Sequence, residues 1–156
     1  MSFQPESAFQ EMAHGDPGAL EFLRAFYIWA HLQDDLIDRD KPVDIKLAVW
    51  SPANMIHAVS SPFFQKHKDF LMPVILLSAI AFLASETRKS SPDILERITA
   101  QVLKSEYLNV FLAVCFCVGG WAHAAEMSAK FREYSFDDEP VVQGVDKGLD
   151  LTAKVG

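Results

Sequence analysis

The stretch Tyr27-Ile28-Trp29-Ala30-His31-Leu32-Gln33-Asp34-Asp35-Leu36-Ile37-Asp38 sets two carboxylates, Asp34 and Asp38, four residues apart. If the stretch is helical, that spacing puts both on one face. At about 100° per residue, the positions within roughly 60° of Asp34 are Leu20, Leu23, Tyr27, Ala30, His31, Ile37 and Asp38, so the aspartates share the apolar stripe. Asp35 points away from it, toward Arg24 and Arg39. Carboxylates on a packing face cost several kcal/mol unless they are paired, protonated or bound to a cation. The C-terminal end of a helix disfavours them further through the macrodipole. Acids a turn apart are also how helices hold Mg²⁺ or Mn²⁺ through hard oxygen ligands. The competing reading is a frayed helix end whose acids are solvated, helped by Arg39 and Lys41.

A cation site on this helix needs further ligands from the other polar residues stranded on apolar segments. Glu86 closes one apolar run, and Glu106 and Asn109 lie three apart at the start of another. His123 and Glu126 repeat that spacing, as do Asn54 and His57. Asn109 and His123 would stand about 21 Å apart along a continuous helix, so they cannot both serve one compact site. The expected metal set is therefore Asp34 and Asp38 with Glu106 and Asn109, and Glu86 as the next candidate. His31, one turn before Asp34, is the candidate catalytic residue, as general base or as support for a ligand; a packed histidine is the plain alternative. For His123 the plain reading is a ring that donates to a backbone carbonyl or lies at the surface. Cys115 and Cys117 sit inside an apolar run with no electropositive neighbour and read as reduced core thiols. The chain holds no P-loop, no Gly-rich dinucleotide turn, no CxxC and no HExxH.

The elements that would position these groups are all helices. Asp16-Pro17, Ser61-Pro62 and Ser91-Pro92 read as N-cap and N1 pairs, and Val43-Asp44 as a staple and cap. The expected helices run from about Pro17 to Asp38, from Asp44 to about Val59 with a kink or break at Ser51-Pro52, and from about Met72 to Lys89. A last one starts at Pro92 and reaches Tyr134, with or without a bend near Lys104. Pro5 to Ala13 adds a short lead-in helix that ends at Gly15. Gly119-Gly120 inside the last helix reads as close packing. Trp29, Trp50 and Trp121 read as core or pocket wall. This predicts an all-α single bundle of four to five helices with two highly apolar central helices, over residues 1–134. An acidic, extended or disordered tail follows over 135–156.

The 156 residues are 50% hydrophobic and 22% charged, which fits one globular domain. The net charge is −7, and residues 133–150 supply −5 of it through six acids against Lys147, so the body is close to neutral. With no basic patch, nucleic acid is not an expected partner. Phe70 to Ala84 is apolar at 13 of 15 positions and Tyr107 to Ala122 at 13 of 16, both short of the roughly 18 to 20 residues a spanning helix needs. A membrane is therefore the less expected partner, although mean hydropathy is +0.10 and a membrane hairpin stays as the third reading. The N-terminus lacks the basic and apolar segments of a signal peptide, so a cytoplasmic location is expected.

The string Asp34-Asp35-Leu36-Ile37-Asp38 resembles the Asp-rich DDxxD helix of the all-α class I prenyl and terpenoid synthases. That resemblance implies Mg²⁺ at Asp34 and Asp38 and, through it, a substrate diphosphate. The second metal motif of those synthases has no counterpart here, nor do the paired ExxE and ExxD motifs of the all-α nucleotide pyrophosphatases. As a whole the chain looks like small, uncharacterised helical proteins of phage or prophage type. Two further readings follow: a Mg or Mn protein acting on a phosphate or diphosphate ester as a small phosphorylated ligand, and a non-enzymatic helical protein that forms a homo-oligomer through its apolar helices.

Overall fold

A computed structural model describes residues 5–39 and 42–132. The element order is α1 (Pro5–Ala13), α2 (Pro17–Asp38), α3 (Ile45–Val59), α4 (Pro62–Glu86), α5 (Ile94–Lys104), a 3₁₀ turn (Ser105–Tyr107) and α6 (Leu108–Phe131). The protein is all-α, and no strand occurs among the described residues. Taking α5, the 3₁₀ turn and α6 as one bent rod from Ile94 to Phe131 gives five helices. The tail expected over 135–156 lies outside the described residues.

Local chemistry sets the helix starts. The Asp16 carboxylate accepts from the Ala19 amide at 3.0 Å, Asp44 from Lys46 at 2.9 Å and the Ser61 hydroxyl from Phe64 at 3.2 Å. Each satisfies one of the orphan donors of a first turn. The last start differs from expectation: Asp93, not Ser91, caps α5, accepting from Leu95 at 2.8 Å, and Ser91 holds the Asp93 amide instead. Helix α1 ends where His14 and Gly15 take positive φ.

The break expected at Ser51-Pro52 and the helix start expected at about Met72 are both absent. Helix α3 runs unbroken through Pro52, and α4 starts ten residues before Met72, at the Ser61-Pro62 cap, and runs through Pro73. Both rings are exposed, and each helix is long enough for its remaining bonds to carry the one that proline removes. The bend near Lys104 is the 3₁₀ turn. A second, sharper one lies at Gly120, whose φ of 71° and ψ of −165° leave the helical region.

The core forms where α2 and α4 begin. Phe22, fully buried, packs its ring 5.2 Å from Phe64 and 6.5 Å from Phe63, and Phe26 meets Phe111 edge-on at 5.5 Å. Phe9 of α1 closes the cluster against Phe111 and Tyr27. Gly18 lets α2 come this close, since a Cβ there would lie 2.6 Å from Phe63 Cβ. With Asp38 beside Lys89 and Asp34 beside Lys104 at the far end, α2 runs parallel to α4 and antiparallel to α5 and the start of α6.

The two apolar stretches take different places. Leu108 to Cys115 contributes six buried residues, including Val110, Val114 and Cys115, to the centre. Helix α4 packs by one face only, with Leu71, Ser78 and Ser85 buried at seven-residue spacing. Trp29 packs against the core, whereas Trp50 and Trp121 are exposed, Trp121 at 81%. Trp121 follows the Gly120 kink, which turns it out of the core side of α6 onto the edge of Phe116 at 5.2 Å.

Candidate functional site

Helices α2 and α4, being parallel, deliver their C-terminal ends to the same end of the bundle. Asp34 and Asp38 are in the last turn and a half of α2, and Glu86 is the last residue of α4. One carboxylate oxygen from each comes within 4.8 Å of the others. Asp34 and Glu86 are partly buried, and Asp38 is exposed. The negative ends of two macrodipoles therefore coincide with three acids, an arrangement that only nearby positive charge stabilises.

Two lysines supply that charge. Lys89, in the turn after α4, pairs with both Asp38 and Glu86. Lys104, the last residue of α5, approaches Asp34 Oδ1 to 3.2 Å. This contact is an ion pair outside hydrogen-bond geometry, and that buried oxygen accepts no hydrogen bond. Desolvation pulls the Lys89 ammonium down, but its hydrogen bonds to Asp38 and Glu86 prevail and push it up to about 12. Three carboxylates and two ammonium groups leave the group at −1.

The remaining expected residues stand apart from this group. Asn109 donates to the Glu106 carboxylate and accepts from Arg132 at 3.1 Å, a contact made because the second half of α6 folds back at Gly120 toward the first. The Glu106 carbonyl accepts from Ser78 at 3.0 Å and ties α4 to the 3₁₀ turn. His31 is exposed, and its Nδ1 donates to the Tyr27 carbonyl at 3.0 Å while its ring lies 4.0 Å from the Tyr27 ring. That bond places a proton on Nδ1 and leaves Nε2 as the other ring nitrogen available for hydrogen bonding. His57 pairs with Glu21 at 3.0 Å, and Glu126 is exposed.

His123 is a buried ring whose Nε2 donates to the Met12 carbonyl at 3.0 Å. It also explains Gly119, where a Cβ would lie 2.5 Å from His123 Cβ. The close packing expected at the glycine pair is thus a histidine folded back on its own kinked helix. Cys115 and Cys117 are free thiols, and burial pushes Cys115 up to about 12, far from thiolate reactivity.

Sequence reasoning found all three acids and missed the two lysines. Both end helices, where basic residues offset the macrodipole. That signal says where a lysine is favourable and not which carboxylate it reaches. Of the groups able to hold a metal, Asp34, Asp38 and Glu86 offer oxygens that a single cation could share. No protein-family model, curated protein or solved structure matches this chain.

Proposed function

We propose that the protein binds Mg²⁺ or Mn²⁺ through Asp34, Asp38 and Glu86 and uses the ion to hold a phosphate or diphosphate ester. The observation that carries this reading is the convergence of those three carboxylates at the C-terminal ends of two parallel helices. Hard oxygen donors of this kind suit Mg²⁺ and Mn²⁺. A divalent ion would change the group from −1 to +1, which favours an anionic ligand. Lys89 and Lys104 are then released from their carboxylates to reach its oxygens. The ion, when bound, would activate water or neutralise a leaving group. Asp34 and Asp38 would orient it, and Glu86 would close the set from α4. His31, one turn along α2, is the candidate to move a proton through Nε2.

The test is thermal unfolding of EDTA-stripped protein against Mg²⁺, Mn²⁺ and Ca²⁺, in parallel with Asp34→Asn/Asp38→Asn and with Glu86→Gln. Ligand present at 100 times its Kd stabilises by about 2.7 kcal/mol, which is roughly 5 to 10 °C for a chain of this size. The shift is expected in the native chain, lost in the double variant and weakened in Glu86→Gln. A positive result justifies adding pyrophosphate and nucleotides and measuring phosphate release. If millimolar metal shifts none of the proteins, the group is a closed ion network and the reading fails. Without metal the double variant is expected to unfold within about 1 kcal/mol of the native chain, since the partly exposed ion pairs it loses are offset by the like charges removed.

A further inference from the structure

Past Leu71, helix α4 buries the small polar residues Ser78 and Ser85 and turns several of its large apolar residues outward. Its buried line carries Ser78, which bonds across to Glu106, and Ser85, which bonds back to Phe82 of its own helix. Its opposite face carries Leu76, Ile80 and Leu83, exposed at 57%, 63% and 69%, with Met72 and Leu77 at the edges, 44% and 66% exposed. These five side chains leave roughly 500 Å² of contiguous apolar surface in water on one helix, within the range that marks an interaction site on a soluble chain.

A bilayer is one possible cover, and the helix register argues against it. Ser78 bonds to Glu106 and Phe70 packs its ring 5.3 Å from Phe116, so α4 and the α5–α6 rod are antiparallel. In that register the charge-free stretch 70–85 of α4 faces about 100–115 of the rod, whereas the rod's own charge-free stretch is 107–125. The two coincide over about nine residues, some 13 Å, which is less than half of a hydrocarbon core. Lys104 and Asp34 form their ion pair within the depth that α4 alone would leave apolar.

The geometry points to a second copy of this chain as the occupant, packed antiparallel, α4 on α4, about a two-fold axis that crosses the outer face at the level of residue 78. The outer stripe is close to self-complementary in that register: Leu76 meets the second copy's Ile80, and the end of the stripe at Asp69 meets the end at Thr87. Asp69 then lies within a turn of Arg88 of the other copy, and the same pair recurs by symmetry at the far end. Two such faces bury about 1,000 to 1,200 Å² together, the lower limit for a specific dimer. Asp69, exposed and in no ion pair among the described residues, gains a partner in this arrangement.

Light scattering coupled to size exclusion, on the full chain without detergent, reads the mass directly. A dimer is expected at micromolar concentration. Leu76→Glu with Ile80→Glu is expected to give a monomer of unchanged helical content. Asp69→Arg alone is expected to weaken the dimer at least tenfold, and adding Arg88→Asp to restore it, because only the antiparallel register joins those two positions. A native chain that stays monomeric to 100 µM overturns the proposal. So does a dimer that survives the Leu76/Ile80 variant, or an Asp69→Arg defect that Arg88→Asp does not repair. Sedimentation of the native chain with phosphatidylcholine vesicles, or a requirement for detergent, assigns the face to lipid instead.

Discussion

The two ends of the bundle solve opposite problems with the same helices. Where α2 and α4 begin, Phe22, Phe26, Phe63, Phe64 and Phe111 interlock, and the buried ring of His123 is satisfied by a backbone carbonyl at 3.0 Å. Where the same helices stop, Asp34, Asp38 and Glu86 gather around Lys89 and Lys104 with water near at hand. The first end gains by removing apolar area from water; the second is held by charges that salt and solvent screen. Stability is therefore expected to reside at the aromatic end and adjustable chemistry at the acidic one.

Phe22→Ala should break this contrast most severely. The side chain is fully buried, so truncation is expected to cost about 3 to 5 kcal/mol, read as a lower midpoint in urea with an unchanged slope. A loss under about 1 kcal/mol would mean that the phenylalanine cluster is not the centre of the fold.

Gly120→Ala should follow, at about 1 to 3 kcal/mol, because its backbone conformation is open essentially only to glycine. The same urea titration reads it. A neutral Gly120→Ala would show that the kink in α6 straightens without penalty and that Trp121 need not face outward.

The smallest effect should come from Lys89→Met, and only in alkali. Lys89 has a folded value of about 12, above the ordinary value of 10.5, so its ion pairs stabilise fully below about pH 10.5. That contribution disappears as pH rises through about 12. The native chain should thus lose part of its advantage over Lys89→Met between those values, with little difference between pH 6 and 9 beyond a surface ion pair. Parallel pH profiles of the two proteins would show that the acidic end does not depend on Lys89.

Much of the site was legible in the residues, for definite reasons. Asp34 and Asp38 share a face because four residues make about one turn, and the Asp16 cap and the terminus near Asp38 were set by local chemistry. Glu86 was visible as the acid that ends an apolar run, but its preference over Glu106 and Asn109 was not. That choice followed from the parallel course of α2 and α4, which brings their last turns together, while Glu106 is held by Asn109, which Arg132 reaches from the folded-back end of α6.

Helix α4 marks the limit most clearly. A segment apolar on every side carries no direction in its pattern, so Phe70 to Ala84 read as a central helix, whereas α4 packs by a single face and leaves the other exposed. Its neighbours decided the matter: Ser78 found a carbonyl acceptor on the 3₁₀ turn, and Leu76, Ile80 and Leu83 were left outside. The sequence alone determined the all-α class, three of the capped helix starts and the shared face of two aspartates, because caps and periodicity act within a few residues. Only the tertiary structure decided which carboxylates meet, which lysines answer them and which side of α4 faces water, because those depend on helices brought together from distant parts of the chain.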